Sequence, residues 1–202
     1  GYAMPNFAAN LSMMFQEHEF LDRFAAASAA GFKGVEFLFP YDFSIEDVEN
    51  AAKSAGVEIA LFNLPPGDWE KAERGLAAMP GREADFAEAL EKAISYAVPL
   101  RCKRLHMMAG IPGEGADLAQ CRATYVNNLK FAAPKLADAG LTGLIEPINT
   151  RDIPGYFINY QQDGHDVLAA VGADNLMVQM DFYHVQIMEG DIAMRFQKHQ
   201  AG

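Results

Sequence analysis

Residues 7–16 are Phe-Ala-Ala-Asn-Leu-Ser-Met-Met-Phe-Gln, and this stretch decides between two folds that the rest of the chain allows. Its first half, Phe7 to Leu11, is a short apolar run typical of a buried strand, and its second half contains no glycine. A doubly wound, Rossmann-type sheet normally carries a glycine-rich phosphate loop directly after its first strand. Because that loop is missing, we predict the other fold that alternates strands and helices, a (β/α)8 barrel.

Short apolar runs alternate with helical runs along the whole chain. The predicted strands lie at 7–11, 34–39, 57–62, 103–108, 141–147 and 176–181. The predicted helices lie at 20–30, 44–56, 82–98, 117–139 and 161–171, and another begins near His184. Helical crossovers between strands imply a parallel sheet, and continuously apolar strands imply burial on both faces. These features fit both a doubly wound sheet and a barrel.

Local signals mark the ends of several of these elements. Ser44-Ile45-Glu46-Asp47 is a capping-box pattern that opens the second helix, and Gly56 is a typical residue just past its end. Pro134 is expected to kink or end the long helix at 117–139. Residues 63–80 carry three prolines and two glycines, which predicts a loop too long to be a plain connector and therefore a candidate functional loop.

Six strand–helix units are two fewer than a complete barrel contains. A (β/α)8 barrel takes about 250 residues, so we expect the natural protein to have about 50 to 60 residues more than these 202. We interpret 4–202 as a single barrel domain that is incomplete at its C-terminus. Gly1-Tyr2-Ala3 is interpreted as an expression remnant that precedes the natural start at Met4.

The composition is that of an ordinary globular protein, with 50% hydrophobic and 21% charged residues. A formal charge of −11, without a run of Lys or Arg, argues against nucleic acid as a partner. No apolar run reaches the roughly 18 residues that span a bilayer, so no membrane partner is expected. Cys102 and Cys121 stand alone, without the spacing of a zinc site or disulfide framework, and indicate a reducing cytoplasm.

Two carboxylates end neighbouring strands. Glu146 follows Leu144-Ile145, and Asp181 follows Val178-Gln179-Met180. The active sites of parallel α/β folds lie at the carboxyl ends of the strands, where two adjacent carboxylates repel each other unless a cation sits between them. Oxygen ligands of this kind suit Mg²⁺ or Mn²⁺, so we predict a divalent metal held by these two residues. The alternative is a structural pair with Arg or Lys, but no such residue falls at a neighbouring strand end.

Several other residues at or after the strand ends have two interpretations each. Glu36 and Asn63 either line the site or bond other strand ends, and His184 either acts in the site or packs. His106 is interpreted as a hydrogen-bonded barrel histidine. Trp69, the single tryptophan, either anchors a lid or packs within the 63–80 loop. The methionine pairs at 13–14 and 107–108 are predicted to fill the core.

Taken together, the motifs resemble the hydroxypyruvate isomerases, which are xylose isomerase-like TIM barrels. The resemblance runs from Met4 to about Gly190 and is specific only when the motifs are combined. The matching stretches are Asn10-Leu11-Ser12-Met13, Gly31-Phe32-x-Gly34-Val35-Glu36, Asn63-Leu64-Pro65-x-Gly67-Asp68-Trp69, Pro80-Gly81-Arg82-Glu83, Ile145-Glu146-Pro147-Ile148-Asn149, Asp152-Ile153-Pro154-Gly155 and Asp181-x-Tyr183-His184.

The resemblance implies a metal-assisted isomerase that interconverts hydroxypyruvate and tartronate semialdehyde by proton transfer through an enediolate. It assigns Glu146 and Asp181 to the metal, Glu146 also to catalysis, and His184 and Asp152 to substrate. Glu36, Asn63 and Trp69 complete the predicted substrate-binding set. The family's two remaining metal ligands and its second catalytic glutamate belong to strands seven and eight, which this sequence does not reach.

Four other functions share parts of this pattern. A 2-oxo-tetronate isomerase has the same early motifs, and ketose 3-epimerases have the same metal site. An endonuclease IV-like phosphodiesterase needs more metal histidines and a basic groove, which five scattered histidines and a charge of −11 disfavour. A barrel fragment that only binds partners would show no metal-dependent turnover. We expect a small sugar acid as the substrate and regard a homo-oligomer as compatible with the sequence.

Overall fold

A computed structural model describes residues 7–179, whose strands form one parallel sheet. The strands are β1 (Ala8–Asn10), β2 (Gly34–Glu36), β3 (Glu58–Asn63), β4 (Arg104–His106), β5 (Thr142–Ile145) and β6 (Leu176–Val178). Their order in the sheet is β1-β2-β3-β4-β5-β6, so that each strand pairs with its neighbour in sequence. A doubly wound sheet reverses its strand order at a switch point, whereas a barrel does not. The sequential order confirms the barrel.

A helix occupies every crossover between consecutive strands. The helices are α1 (Arg23–Ala29), α2 (Ile45–Ala55), α3 (Glu83–Leu100), α4 (Leu118–Asp138) and α5 (Gln161–Val171). Two 3-10 turns, Phe20–Asp22 and Trp69–Lys71, lie in the connecting segments. Within residues 7–179 no helix combines the length and apolarity that crossing a bilayer requires.

The strand register brings polar residues to one edge of the sheet. Asn10 lies opposite Glu36 at the carboxyl ends of β1 and β2, and Asn63 lies opposite His106 at those of β3 and β4. Since parallel strands end on the same side, these four side chains are brought to the same mouth of the barrel.

The predicted ends of α2 are confirmed. Ser44 Oγ accepts a hydrogen bond from the Asp47 N–H at 3.0 Å, and Gly56 adopts φ 69°, the left-handed conformation that ends many helices. Pro134, in contrast, does not end α4, which continues to Asp138. Ala133 and Leu136, on either side of the proline, are buried in the core and hold this last turn of the helix in place.

Some strands are shorter than predicted. β2 ends at Glu36 rather than Phe39, because the register of its pairing with β3 shifts between Val35 and Glu36. The ring of Phe37, directly after this shift, stacks on that of Phe62 with centroids 5.8 Å apart. The apolar run therefore predicts the burial of Val35 and Phe37 correctly, but Leu38 is 36% exposed and the ladder is shorter than the run.

The two methionine pairs differ in their surroundings. Met107 and Met108 are buried, as predicted. Met13 is 74% exposed and Met14 37% exposed, so the prediction of a core position is wrong for this pair. The chain turns immediately after β1, with the N–H groups of both residues donating to the Asn10 carbonyl, and this turn carries their side chains to the surface at the barrel mouth.

Candidate active site

A cavity of about 260 Å³ lies at the carboxyl ends of the strands. Five of the residues predicted from sequence line it together: Glu36, Asn63, Trp69, Glu146 and Asp152. They come from different strands or the loops after them, so only the barrel brings them together. The remaining two predicted residues, Asp181 and His184, lie outside the described residues.

Glu146 is the half-buried carboxylate directly after β5. The neighbouring Tyr156 hydroxyl accepts a hydrogen bond from the Ala109 N–H at 2.7 Å. Burial, and in smaller part the charge of Glu146, raise the pKa of Tyr156 above its ordinary value, and the Ala109 contact only partly offsets this. Tyr156 therefore stays a neutral hydroxyl near Glu146 and adds no second negative charge to the site.

Asn63 and His106 form a buried pair beneath the cavity. Asn63 Oδ1 lies 3.2 Å from His106 Nδ1, and an amide oxygen only accepts, so this contact places the ring hydrogen on Nδ1. The Tyr41 hydroxyl donates to the Asn63 backbone carbonyl at 2.5 Å. His106 is thus a hydrogen-bonded barrel histidine, as interpreted from sequence, and it also lines the cavity.

Asp152 is held in the cavity by a residue that the sequence analysis did not single out. Asn149 is fully buried, and its Nδ2 donates to Asp152 Oδ2 at 2.8 Å. Its Oδ1 accepts from the N–H groups of Arg151 and Asp152, both at 2.9 Å. This is an Asx-type turn, whose signal in the sequence is the Asn-x-x-Asp spacing.

Trp69 forms part of the cavity wall from the loop after β3. The residue is 40% exposed, and its ring packs edge-on against Phe39 with centroids 5.2 Å apart. The Arg74 guanidinium carbon lies 3.5 Å from the centre of the Trp69 ring, a cation–π contact. Trp69 therefore both packs within its loop and borders the site.

The same loop carries an ion pair. Glu73 accepts hydrogen bonds from Arg82 and, at 2.6 Å, from the Asp68 N–H. Arg82 also donates from Nε to Asp85 at 2.6 Å. The Arg82 contact first, and the Asp68 N–H second, lower the pKa of Glu73 below its ordinary 4.5.

This lowered pKa predicts how the loop responds to acid. A carboxylate whose pKa is depressed by folding contributes stability above its unfolded pKa and loses it as the pH falls through the folded value. We expect the fluorescence of Trp69 to stay constant from pH 7 down to about 4.5 and to change below that, while far-UV circular dichroism still shows a folded chain. Glu73→Gln removes this carboxylate charge at every pH, so the variant should show the altered fluorescence already at pH 7. An unchanged signal in Glu73→Gln would contradict the prediction.

The side-chain oxygen atoms around Glu146 are ligands of the kind that a hard divalent cation binds. The Oε1 atom of Gln179, which also lines the cavity, is buried without a hydrogen-bond partner among residues 7–179. Its backbone N–H donates to the Ile145 carbonyl at 2.8 Å, which ties it to the end of β5. Within the same residues no three acidic, histidine or cysteine side chains form a group that could hold a metal. The described donors fit a metal shell but do not complete one.

Comparisons with known proteins agree with this architecture. The family model described as "Xylose isomerase-like TIM barrel" matches residues 24–201. A protein of Cupriavidus necator named 2-oxo-tetronate isomerase is 56% identical over 199 residues, which cover 98% of this chain and 76% of that protein. The hydroxypyruvate isomerase of Escherichia coli is 44% identical over 189 residues, covering 94% of this chain and 73% of that one.

A solved structure is similar over the same extent. The crystal structure of a Brucella melitensis protein named AP endonuclease, family 2, superposes with a TM-score of 0.91 at 49% identity. The match covers 96% of this chain and 75% of that one. The chain thus spans about three quarters of the length of each of these proteins.

Proposed function

We propose a reaction for this chain, which belongs to the xylose isomerase-like TIM barrel family and is an isomerase: it interconverts hydroxypyruvate and tartronate semialdehyde. The observation that carries the proposal is the cavity in which Glu146 lies with Asn63, Asp152 and Glu36. Such a site offers carboxylates able to take a proton, of which Glu146 lies directly after β5, and several groups that hydrogen-bond a small hydroxylated acid. The similarity to the hydroxypyruvate isomerase of Escherichia coli supports the choice of substrate.

In the proposed mechanism Glu146 is one of two groups that move a single proton. The proton leaves C3 of hydroxypyruvate and returns at C2, while the hydroxyl proton passes from O3 to O2, so atoms and electrons balance without an external oxidant or reductant. Glu146 removes or returns the carbon-bound proton, and the resemblance assigns the second step to a glutamate of strand eight. A divalent cation, when bound, would stabilise the negative charge that develops on the two substrate oxygens of the enediolate.

The other cavity residues are proposed to orient the substrate. Asp152, held by Asn149, and Asn63, held by His106, present polar atoms to the substrate hydroxyl groups. Trp69 closes one side. We further propose that Asp181 and His184, outside the described residues, supply a metal ligand and a substrate contact.

A second candidate is the isomerisation of a four-carbon acid, 2-oxo-tetronate. The Cupriavidus necator protein bearing that name is 56% identical, more than the 44% of the Escherichia coli enzyme. The chemistry is the same, because the extra hydroxymethyl carbon takes no part in the proton transfer. Comparing kcat/KM for the two acids decides between them.

Metal dependence is the first test of the mechanism. We expect turnover to fall to background after treatment with EDTA and to recover when Mg²⁺ or Mn²⁺ is added back, since the cation stabilises the enediolate charge. Circular dichroism of the stripped protein controls for unfolding. If EDTA leaves turnover unchanged, the metal has no role in the reaction, but the proposed isomerase activity still stands.

Assays of the same protein preparation with other substrates distinguish the remaining candidate functions. Cleavage of an abasic DNA duplex would favour a phosphodiesterase, the activity for which the Brucella melitensis protein is named. The charge of −11 argues against it. Epimerisation of a ketose at C3 would indicate a 3-epimerase, and no turnover on any of these substrates would favour a binding role.

A further inference from the structure

Arg82 belongs to a stretch, Pro80-Gly81-Arg82-Glu83, that the proposed chemistry does not use. It lies at the start of α3 and borders a separate cavity of about 340 Å³, not the candidate active site. Its guanidinium nevertheless binds Glu73, nine residues earlier in the loop that carries Trp69. The two stretches 63–69 and 80–83 are therefore joined physically, through a residue that belongs to neither.

Glu73 connects Arg82 to the tip of the loop. Its Oε1 accepts from the Asp68 N–H at 2.6 Å and also lies 3.3 Å from Arg82 Nη2, while Oε2 accepts from Arg82 Nη1. The carboxylate lies directly against the backbone here, since a Cβ at Gly67 would lie 2.6 Å from Glu73 Oε1. One carboxylate thus links the backbone just before Trp69 to the N-cap residue of α3.

Arg74 completes the contact with the tryptophan. Its Nη1 donates to the carbonyls of Trp69 and Glu73, at 2.9 and 2.8 Å, while its guanidinium lies over the Trp69 ring. Arg74, like Arg82, borders the neighbouring cavity rather than the candidate site. Trp69 therefore borders the candidate site, whereas the side chains that hold its loop, Glu73, Arg74 and Arg82, border the neighbouring cavity.

We propose that Arg82 and Glu73 are positioning residues of the active site, which hold the 67–74 turn so that Trp69 forms one wall of the substrate cavity. Neither residue contacts the reacting atoms. A partly exposed ion pair contributes modestly to overall stability, so the bond of Glu73 to a backbone N–H at the loop tip indicates a local rather than a global role. The expected effect of these residues on substrate binding rests on the proposed isomerase function, whereas their expected effect on the position of Trp69 does not.

The single tryptophan makes the effect on the position of Trp69 measurable without any substrate. In Arg82→Gln and in Glu73→Gln we expect the Trp69 emission to shift and its quenching by acrylamide to increase, because the turn is no longer held. Arg82→Lys should restore part of the wild-type signal, since a lysine can bind one of the carboxylates. Lys53→Gln is the matched control, because Lys53 pairs with Glu49 at 3.0 Å on the surface of α2 and lies outside the site.

The expected effect on substrate binding follows from the position of Trp69 on the wall. We expect Arg82→Gln and Glu73→Gln to raise KM and lower kcat/KM by about tenfold while kcat changes little, as expected when a wall that contacts substrate is displaced. Lys53→Gln should match the wild type. If both variants are folded and show wild-type Trp69 emission and quenching, the proposal is overturned. If the wild type lacks isomerase activity, the function proposal fails instead, and the fluorescence still decides the role of Arg82 and Glu73.

Discussion

Glu146→Gln should lower kcat by about a thousandfold while leaving the fold intact, within the range that removing a general base or acid usually costs. The amide has nearly the volume of the carboxylate, so the half-buried position after β5 accommodates it. It cannot take up the carbon-bound proton, and it is a weaker ligand for a divalent cation. We expect KM to change by much less than kcat, since the loss falls on the transition state.

The measurement is steady-state isomerisation of hydroxypyruvate and of 2-oxo-tetronate, with thermal unfolding in parallel. Glu88→Gln, on the solvent-facing side of α3, is the matched control and should keep the wild-type kcat. If Glu146→Gln retains wild-type turnover on a substrate of the wild type, Glu146 is not one of the proton-transfer groups. The role would then have to be assigned to another residue of the cavity.

Gly75→Ala should lower the free energy of unfolding by about 3 kcal/mol or more, from backbone strain and overpacking combined. Gly75 adopts φ 119°, and an added Cβ would overlap the Met108 carbonyl group. Here the base of the long loop meets the segment after β4, with Gly75 bridged to Ala109 and its N–H donating to the Pro66 carbonyl at 2.8 Å. The carbonyl group of Met108 belongs to the backbone, so it cannot rotate away as a flexible side chain could.

Chemical denaturation and thermal melting measure this effect, and a loss of this size corresponds to a melting temperature lower by roughly 6–12 °C. Gly113→Ala is the matched control, because no atom lies within 4 Å of its added Cβ and its φ is not positive. A melting temperature for Gly75→Ala equal to that of Gly113→Ala would show that the loop base yields easily. We also expect lower activity in Gly75→Ala, because this loop carries Trp69.

Local features of the fold were predictable from the sequence because they depend on neighbouring residues. Ser44 and Gly56 mark the ends of α2 through bonds and dihedral angles within a few residues. The six apolar runs correspond to six strands, although β2 is shorter than its run. Hydrophobicity reports burial, whereas strand length depends on how far a neighbouring strand stays in register.

The sequence-based predictions that are wrong or missing concern residues whose surroundings are formed by distant segments of the chain. Met13 is apolar like Met107, yet it lies exposed at the barrel mouth because the chain turns after β1. The importance of Asn149 and Gln179 arises from what surrounds their side chains in the folded barrel. The pairing of Glu73 with Arg82 depends on the path of the loop between them.

Short segments of the chain specify the alternation of strands and helices, the ends of α2 and the polar residues that follow the strands, so these features can be predicted without the fold. Two features follow only from the folded chain: the sequential order of the strands, and the single cavity shared by Glu36, Asn63, Trp69, Glu146 and Asp152. Strand pairing joins segments that lie far apart in the chain, and the contacts that result depend on a geometry that no local pattern encodes.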